Sequence, residues 1–259
     1  MDDLFSIAGK VAVVTGGSRG IGEMIARGYV DAGARVSISS RKADACARVA
    51  EELSAEGECS ALPHDLSTEE GVAALAADVA GREPRLDILV NNAGATWGAP
   101  LEEYPDSAWD KVMAVNVKAV LQLTAKLLPQ LRAAASAEDP ARVINIGSVD
   151  GLRVPTTENY AYAASKAAVH MVTRQLAARL VGDPITVNAI APGPFESKMM
   201  AFILDDPEGR RAVAESVPLG RIGRPDDVAG TARFLASRAG AFLTGAVIPV
   251  DGGIASLAQ

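Results

Sequence analysis

A tyrosine and a lysine stand four residues apart in the stretch "YAASK", at Tyr162 and Lys166. On a helix this spacing places both side chains on one face, so that they can act together. A phenol with its ordinary pKa near ~10 is a poor acid or base at neutral pH, and a neighbouring ammonium group is expected to lower that pKa. Just upstream, Ser148 ends the predicted strand "INIGS", where its hydroxyl can bind a substrate carbonyl oxygen. The three residues indicate acid–base chemistry at a carbonyl or hydroxyl group, although a tyrosine–lysine pair alone is usually surface packing.

A glycine-rich stretch, "TGGSRGIG" at residues 15–22, follows the apolar run "VAVV" and precedes a helical segment. In this setting the backbone N–H groups and the start of the helix can hold a pyrophosphate, with Gly16, Gly20 and Gly22 allowing the close approach. The spacing is GxxxGxG rather than GxGxxG. Taken alone it also suits a methyltransferase or tight packing, so the loop by itself leaves the ligand open.

The residue type at the end of the second predicted strand distinguishes a site for NAD(H) from a site for NADP(H). A site selective for NAD(H) usually carries an acidic residue there, which binds the 2′-hydroxyl of the ribose. This chain has "ISSRK" instead, with Arg41 and Lys42, and Arg19 lies within the glycine loop. Guanidinium groups are well suited to a 2′-phosphate, so the sequence favours NADP(H).

Seven short runs of β-branched residues alternate with helical segments, the longest of which cover residues 106–134 and 160–180. The predicted strands lie at 10–15, 34–40, 59–63, 86–90, 142–147, 185–190 and 246–250. Most are too continuously apolar to have one face in water, which is typical of a parallel sheet covered by helices on both sides. We therefore predict an α/β, doubly wound fold that forms a single domain over residues 1–259. Pro249 cannot donate to a neighbouring strand, so the last strand is placed at a sheet edge.

Composition and charge exclude several classes of protein. The net charge of −7 and the pI near 5.0, with no run of Lys or Arg, argue against nucleic-acid binding. No apolar stretch reaches the ~18 residues of a membrane span, and the acidic start does not resemble a signal peptide, so we expect a cytoplasmic protein. Cys46 and Cys59 are interpreted as buried, inert free thiols. His64 and His170 lack partners at metal-ligand spacing and are interpreted as satisfied or surface histidines. No metal is predicted.

Taken together, these motifs resemble the short-chain dehydrogenase/reductase family over nearly the whole chain, which implies a Rossmann-type fold. The matching stretches are "TGGSRGIG" (15–22), Asp65 in "HDL", "NNAG" (91–94), Asn116, Ser148, Tyr162 with Lys166, and "APG" (191–193). The resemblance implies that Tyr162 donates a proton to the substrate carbonyl and that Ser148 orients its oxygen. It further implies that Lys166 binds the nicotinamide ribose and lowers the pKa of the tyrosine, while Asn116 holds a water that links Lys166 to solvent.

The same resemblance assigns a set of residues to the NADP(H) site. They are Gly16, Ser18, Arg19, Gly20, Ile21, Gly22, Ser40, Arg41, Asp65, Leu66, Asn92, Ala93, Gly94, Tyr162, Lys166, Pro192, Gly193 and Ser197. Ser197 stands where many relatives carry threonine, and either hydroxyl can reach a phosphate. Ser148 and Tyr162 are 14 residues apart, slightly more than is usual in the family, so the segment between them is expected to shape the pocket differently.

Three further stretches resemble the NADPH-dependent 3-oxoacyl-acyl-carrier-protein reductases of this family, in particular those associated with rhamnolipid synthesis. They are "NNAGATWGA" (91–99), "ASAEDPARVINIGSV" (135–149) and "GRIGRP" (220–225). The resemblance implies a 3-oxoacyl thioester as substrate. Apolar residues at the expected pocket mouth and in a lid over about 194–217 are predicted to contact it, or equally to pack on their own scaffold: Trp97, Phe195, Met199, Met200 and Phe202, besides Ser148.

Other functions and partners stay open at this point. The same chemistry can serve another ketone or alcohol, such as a sugar acid, a steroid or a xenobiotic. A non-catalytic NADP(H) sensor is a third alternative, which the presence of both Tyr162 and Lys166 disfavours. An acidic acyl-carrier protein would need a basic docking patch, for which Arg132, Arg174 and Arg179 are candidates. The apolar surface of the two long helices and the last strand suits assembly into a homotetramer, as is usual in the family.

Overall fold

The fold is centred on one parallel sheet, seen in a computed structural model that describes residues 4–257, apart from the Phe202 side chain. Within these residues seven strands form the sheet in the order β3-β2-β1-β4-β5-β6-β7. The strands are β1 Val11–Thr15, β2 Arg35–Ser39, β3 Cys59–Ala61, β4 Ile88–Asn91, β5 Ala141–Ile146, β6 Ile185–Pro192 and β7 Val247–Val250. All six neighbouring pairs are parallel. The predicted doubly wound α/β fold is confirmed.

The continuous apolar runs are explained by burial on both faces. In β1, Ala12 and Val14 belong to one buried cluster, whereas Val11 and Val13 belong to another on the opposite face. Alternate side chains of a strand point to opposite faces, so a sheet covered on both sides needs an apolar residue at every position. The first cluster includes residues of the helices α1 (Gly20–Asp31), α2 (Ala43–Ser54) and α10 (Pro225–Ala236). The second includes residues of α3 (Glu69–Arg82), α5 (Ala119–Lys126) and α7 (Tyr160–Leu180).

The predicted long helix over 106–134 is divided in the structure. Its parts are α4 (Asp106–Met113), a π-helical turn (Ala114–Lys118), α5 and, after Leu127, α6 (Leu128–Ala134). Pro129 lies in the first turn of α6 and cannot supply a backbone donor, which accounts for the break. The remaining helices are α8 (Ala201–Leu204), α9 (Pro207–Ser216) and α11 (Ile254–Leu257), with 3₁₀ turns at Leu101–Glu103, Val149–Gly151 and Arg238–Gly240.

The strand order determines where a ligand can bind. The chain adds β2 and β3 on one side of β1 and then returns to place β4 on the other side. The carboxyl ends of β1 and β4 therefore flank a switch point, where open α/β sheets bind their ligands. β7 lies at the edge of the sheet, as predicted from Pro249.

The sulfur and membrane predictions can be compared directly with the structure. Cys46 is buried, and Cys59, half-buried, is also a free thiol. Burial raises the pKa of Cys59 to about 11, which suits an unreactive thiol. No single helix within residues 4–257 is long and apolar enough to cross a membrane. By length and composition alone, a pair bent by 57° meets that criterion, Asp106–Lys126 with Leu128–Ala134.

Candidate active site

A cleft of about 720 Å³ opens at the carboxyl ends of the strands and joins nearly all of the predicted site. It is lined by these predicted cofactor residues: Gly16, Ser18, Arg19, Gly20, Ile21, Ser40, Arg41, Asp65, Leu66, Asn92, Ala93, Gly94, Tyr162, Lys166, Pro192, Gly193 and Ser197. Ser148 lines the same cleft. The volume of the cleft is typical of a site for a small molecule or cofactor.

The glycine loop forms one wall of the cleft between β1 and α1. Gly16 and Gly20 have φ angles of +67° and +55°, which glycine adopts far more readily than other residues. A Cβ on Gly16 would lie only 2.6 Å from the amide nitrogen of Asn92. The loop thus brings bare backbone and the start of α1 to the cleft, which is the arrangement that binds phosphate groups.

Gly22 differs from its prediction because it does not line the cleft. A Cβ at this position would overlap the amide nitrogen of Asn92 and the carbonyl oxygen of Gly16. That Asn92 amide donates to the carbonyl oxygens of Thr15 (2.8 Å) and Gly16 (3.3 Å), while the Thr15 hydroxyl accepts from the backbone N–H groups of Asn92 and Ala93. Gly22 therefore permits the packing that fixes the loop. Thr15 was missed as a bracing residue, although it opens the quoted motif.

The adenosine end of the cleft contains an unsatisfied polar atom and free positive charge. The Ser39 hydroxyl at the end of β2 is buried, lines the cleft and has no hydrogen-bond partner among the described residues. Arg19 and Arg41 are exposed, and neither forms an ion pair within residues 4–257. A buried hydroxyl needs a partner, and two unpaired guanidinium groups attract an anion. These residues fit the ribose and 2′-phosphate of NADP(H).

Further residues line this end of the cleft: Lys42 was noted in the sequence beside Arg41, whereas Arg48 and His64 were not predicted as cofactor residues. Lys42, at the amino end of α2, is exposed, and Arg48 pairs with Glu52 at 2.6 Å. The His64 ring nitrogen Nε2 lies 2.8 Å from an Asp78 carboxylate oxygen. His64 was interpreted as a satisfied or surface histidine, and its exposed acidic partner agrees with that interpretation. Within residues 4–257 no group of three or more His, Cys, Asp or Glu side chains is arranged to hold a metal.

The reactive end of the cleft is formed by β5, the 3₁₀ turn after it and the start of α7. Ser148 caps the 3₁₀ turn, and its hydroxyl oxygen accepts from the Asp150 backbone N–H at 3.1 Å. Tyr162 and Lys166 lie one turn apart on α7, with the Lys166 ammonium group 5.5 Å from the centre of the Tyr162 ring. The ammonium group donates to the Ile146 carbonyl oxygen at 2.7 Å. A hydroxyl, a phenol and an ammonium group thus meet in the cleft.

Burial, not the neighbouring lysine, controls the pKa of Tyr162. Desolvation raises it to about 12, a hydrogen bond with Ser148 lowers it and the Asp150 charge raises it. The predicted lowering by Lys166 is therefore wrong for this structure. Burial also lowers the pKa of Lys166 to about 8, because a buried ammonium group loses its hydration. Lys166 therefore loses its proton at a lower pH than an exposed lysine does.

Asn116 does not line the cleft, although it was predicted as an active-site residue. Its amide donates to the Ala95 carbonyl oxygen and to the Ser165 hydroxyl, each at 2.9 Å, and accepts from the Ala95 N–H at 2.8 Å. Ser165 in turn donates to the Tyr162 carbonyl oxygen at 2.7 Å. The Asn116 side chain thus ties the loop after β4 to α7. Ser165, inside the "YAASK" motif, was missed as part of this connection.

The predicted apolar substrate residues divide into four groups. Trp97 and Met199 line the cleft and are 49% and 39% exposed. Phe195 also borders the cleft but is only 2% exposed, because its ring packs in the core against Gly223, so it is not part of a movable cover. Met200 does not line the cleft. Phe202 lies in α8, but its side chain is outside the described part of the chain.

Tyr160 and the candidate docking arginines lie away from the reactive end. Tyr160, two residues before Tyr162, is exposed and packs edge-on against Tyr104, with 5.5 Å between the ring centres. Arg132 pairs with Asp183 at 2.9 Å, just beyond the carboxyl end of α7. Arg179 follows Lys166 by 13 residues along α7, or about 20 Å at 1.5 Å per residue. A carrier protein docked there would need to deliver its thioester over about that distance.

Comparisons with known proteins agree with this geometry. A family profile described as enoyl-(acyl carrier protein) reductase matches residues 16–255. The rhamnolipids biosynthesis 3-oxoacyl-(acyl-carrier-protein) reductase of Pseudomonas aeruginosa is 55% identical over 253 residues, which cover 98% of this chain and 99% of that protein. The solved "Pseudomonas aeruginosa RhlG/NADP active-site complex" matches with a TM-score of 0.96 and 55% identity, over 98% of this chain and all of that one.

The names of more distant relatives indicate other substrates. A 2-dehydro-3-deoxy-D-gluconate 5-dehydrogenase of Pseudoalteromonas atlantica is 36% identical, over 98% of each chain. A gluconate 5-dehydrogenase from Burkholderia cenocepacia, solved in complex with NADP and tartrate, matches with a TM-score of 0.89 and 33% identity, also over 98% of each chain.

Proposed function

Because the chain belongs to the short-chain dehydrogenase/reductase family, we propose that it is an NADPH-dependent reductase that converts the ketone of a 3-oxoacyl thioester to a secondary alcohol. The observation that carries the proposal is the meeting of Ser148, Tyr162 and Lys166 with the glycine loop in one cleft. The relative at 55% identity supports the substrate class, since it covers both chains almost entirely.

The cofactor is NADP(H) in this account. Bound NADPH supplies a hydride to the carbonyl carbon. The glycine loop and the start of α1 hold the pyrophosphate, while Arg19 and Arg41 bind the 2′-phosphate. The unpaired Ser39 hydroxyl would bind the adenosine ribose, and Asp65 would contact the adenine. The NADP in two matching structures supports this choice.

Each catalytic side chain has one task. Tyr162 donates its phenolic proton to the carbonyl oxygen, and Ser148 donates a hydrogen bond to the same oxygen. Lys166 holds the nicotinamide ribose through its ammonium group. Asn116 acts as a positioning residue through Ala95 and Ser165, and it also holds the water that links Lys166 to solvent.

The acyl chain of the substrate is proposed to lie against Trp97 and Met199, the two exposed apolar side chains that line the cleft. Residues of about 194–217, which include α8 and α9, act as a lid within a single-domain chain, except for Phe195, whose ring stays packed in the core. The gluconate dehydrogenases among the relatives support a second candidate substrate, a keto sugar acid, but at lower identity than the 3-oxoacyl reductase.

The proposal also includes the cellular compartment, the assembly state and the carrier of the thioester. We place the enzyme in the cytoplasm, because its free thiols suit a reducing compartment. A homotetramer is proposed through α5 and α7 and through the edge strand β7. An acyl-carrier protein or coenzyme A would present the thioester. Arg132, Arg174 and Arg179 form the proposed docking patch for an acidic carrier protein, and Arg132 already pairs with Asp183.

A substrate and cofactor panel tests the function. Nicotinamide absorbance would be followed with purified protein, NADPH or NADH, and three kinds of ketone: a short 3-oxoacyl thioester, a keto sugar acid and unrelated ketones. The proposal expects rapid NADPH oxidation with the thioester and much slower turnover with NADH. Turnover only with the sugar acid would replace the substrate and keep the reaction class. Tight NADPH binding without turnover of any ketone would contradict the enzymatic function.

A further inference from the structure

His170 is a buried titratable residue that the proposed reaction does not use. It follows Lys166 by one helical turn on α7, and it is 3% exposed. Neither ring nitrogen has a hydrogen-bond partner of good geometry among the described residues, so the interpretation of His170 as a satisfied or surface histidine is wrong. Burial lowers the pKa of His170 to about 4, the Gly151 backbone raises it, and the charges of Lys166 and Arg174 lower it further. The ring is therefore uncharged at neutral pH, and its effect on its surroundings comes from the space that it fills.

The imidazole lies directly against the segment that carries Ser148. A Cβ on Gly147 would overlap the His170 Nε2 and lie 2.7 Å from its Cδ2. A Cβ on Gly151 would lie 2.8 Å from the His170 Cε1. Real Cβ atoms do not approach other atoms so closely, so the ring fills space that exists only because both flanking residues are glycines. Ser148 lies between these two contacts.

Other contacts also support this segment. Val149 belongs to a buried cluster with Val217 and Ile254. Asp150 accepts a hydrogen bond from the Asn159 amide at 3.2 Å. Gly147 donates its N–H to the Ile190 carbonyl oxygen at 2.7 Å, which continues the pairing of β5 with β6. The Gly151 N–H closes the turn onto the Ser148 carbonyl oxygen at 3.0 Å. On the side of α7, a Cβ on Gly151 would lie 2.7 Å from the Lys166 carbonyl carbon and the Ala167 nitrogen. The helix backbone and the His170 ring thus form the floor beneath Ser148.

From these contacts we propose that His170 is a positioning residue that holds residues 147–151 against α7 and so sets the Ser148 hydroxyl relative to the Tyr162 phenol. The inference rests on the proposed function, because it assigns Ser148 to the reacting oxygen. A displacement of about 1 Å in such a group can cost up to a hundredfold in rate. Removal of the ring is therefore expected to lower kcat, with little effect on a cofactor site lined by other residues.

A size exchange tests the contact. Gly147→Ala adds a methyl group where the ring lies, and His170→Ala removes the ring. We expect each single variant to lower kcat about tenfold and to leave the Kd for NADPH within about twofold of wild type. The double variant should be more active than Gly147→Ala, since the added methyl then has room. The free energy of unfolding should show the same rescue, which needs no substrate.

A second comparison separates positioning from general damage. In a Ser148→Ala background, His170→Ala should change kcat by less than about twofold, because the group it positions is gone. Leu53→Ala, a buried truncation on α2 away from the cleft, is the control for lost stability and should leave kcat unchanged.

Two results would overturn the inference: no rescue in the double variant, or the same loss of kcat from His170→Ala with and without Ser148. The proposed function is judged separately, by whether the wild-type protein turns over the thioester. The ratios of kcat between the variants and wild type are measured with whichever ketone the wild-type protein reduces. If no ketone is reduced, the free energies of unfolding of the single and double variants test the contact.

Discussion

Burial shifts the pKa values of Tyr162 and Lys166 in opposite directions, to about 12 and about 8. Both shifts favour the uncharged form of the side chain. The tyrosine therefore keeps its proton, as a donor must, while the lysine carries a charge that costs free energy. Sequence spacing predicts that the two residues share a helix face, which is correct. It cannot give their desolvation, which depends on β5 and on the turn after it.

The cost of the buried ammonium group predicts a pH dependence of stability. The pKa of Lys166 is about 8 in the folded chain and 10.5 when exposed, so between these values the unfolded chain holds more protons. The free energy of unfolding of wild type, relative to Lys166→Met, should therefore rise as the pH increases through this window, by up to about 3 kcal/mol. Urea unfolding of both proteins at neutral and alkaline pH measures it. A difference that stays constant with pH would contradict the shift.

The predicted substrate residues are less well placed in the structure than Ser148, Tyr162 and Lys166, which all line the cleft. Residue type and position singled out these three residues, and the family resemblance assigned their roles. Phe195 and Met200 were chosen because they are apolar and near the expected lid, but Phe195 packs against Gly223 and Met200 does not line the cleft. An apolar side chain has no chemical mark that separates packing from substrate contact, so sequence alone could not decide.

The strands and helices were predictable wherever their apolar pattern is long. All seven strands and α7 lie where the sequence places them. The segment over 106–134 has a continuous apolar face, so its division by a π-helical turn and by the break at Leu127 was not expected. Pro129 gives a sequence signal for the break, whereas the π-helical turn at Asn116 has none.

The junction between the glycine loop and α1 predicts contrasting effects for two helical glycines. Gly22→Ala should raise the Kd for NADPH at least about tenfold and lower the free energy of unfolding by about 1–3 kcal/mol, because the new Cβ would overlap Asn92 and Gly16. Gly81→Ala in α3 meets nothing within 4 Å and is the matched control. It should leave NADPH binding unchanged and stabilise by up to ~1 kcal/mol.

Titration with NADPH and urea unfolding of both variants check this prediction. Equal behaviour of the two alanine variants would show that Gly22 has no role in packing the loop. A loss of NADPH affinity without loss of stability would instead place Gly22 at the nucleotide itself, as the resemblance first implied.

At the scale of the whole molecule, exposed apolar side chains lie on α5 and α7, the two helices proposed to form a subunit interface. Leu121 on α5 and Met171 on α7 are 46% and 53% exposed. Exposed apolar groups on neighbouring helices favour a subunit interface. Sedimentation velocity should show a tetramer, and Leu121→Glu with Met171→Glu should reduce its size. Leu101→Glu, an exposed apolar site outside these helices, is the control. A monomeric wild-type protein would contradict the proposed assembly.

The most direct test of the proposed chemistry follows NADPH oxidation by wild type and by Tyr162→Phe with a short 3-oxoacyl thioester. The variant lacks only the phenolic hydroxyl, so the ring still fills its place while the proton donor is lost. We expect turnover to fall by at least about a hundredfold, with the Kd for NADPH within about twofold of wild type. Substantial activity in the variant would show that Tyr162 is not the proton donor and would contradict the account.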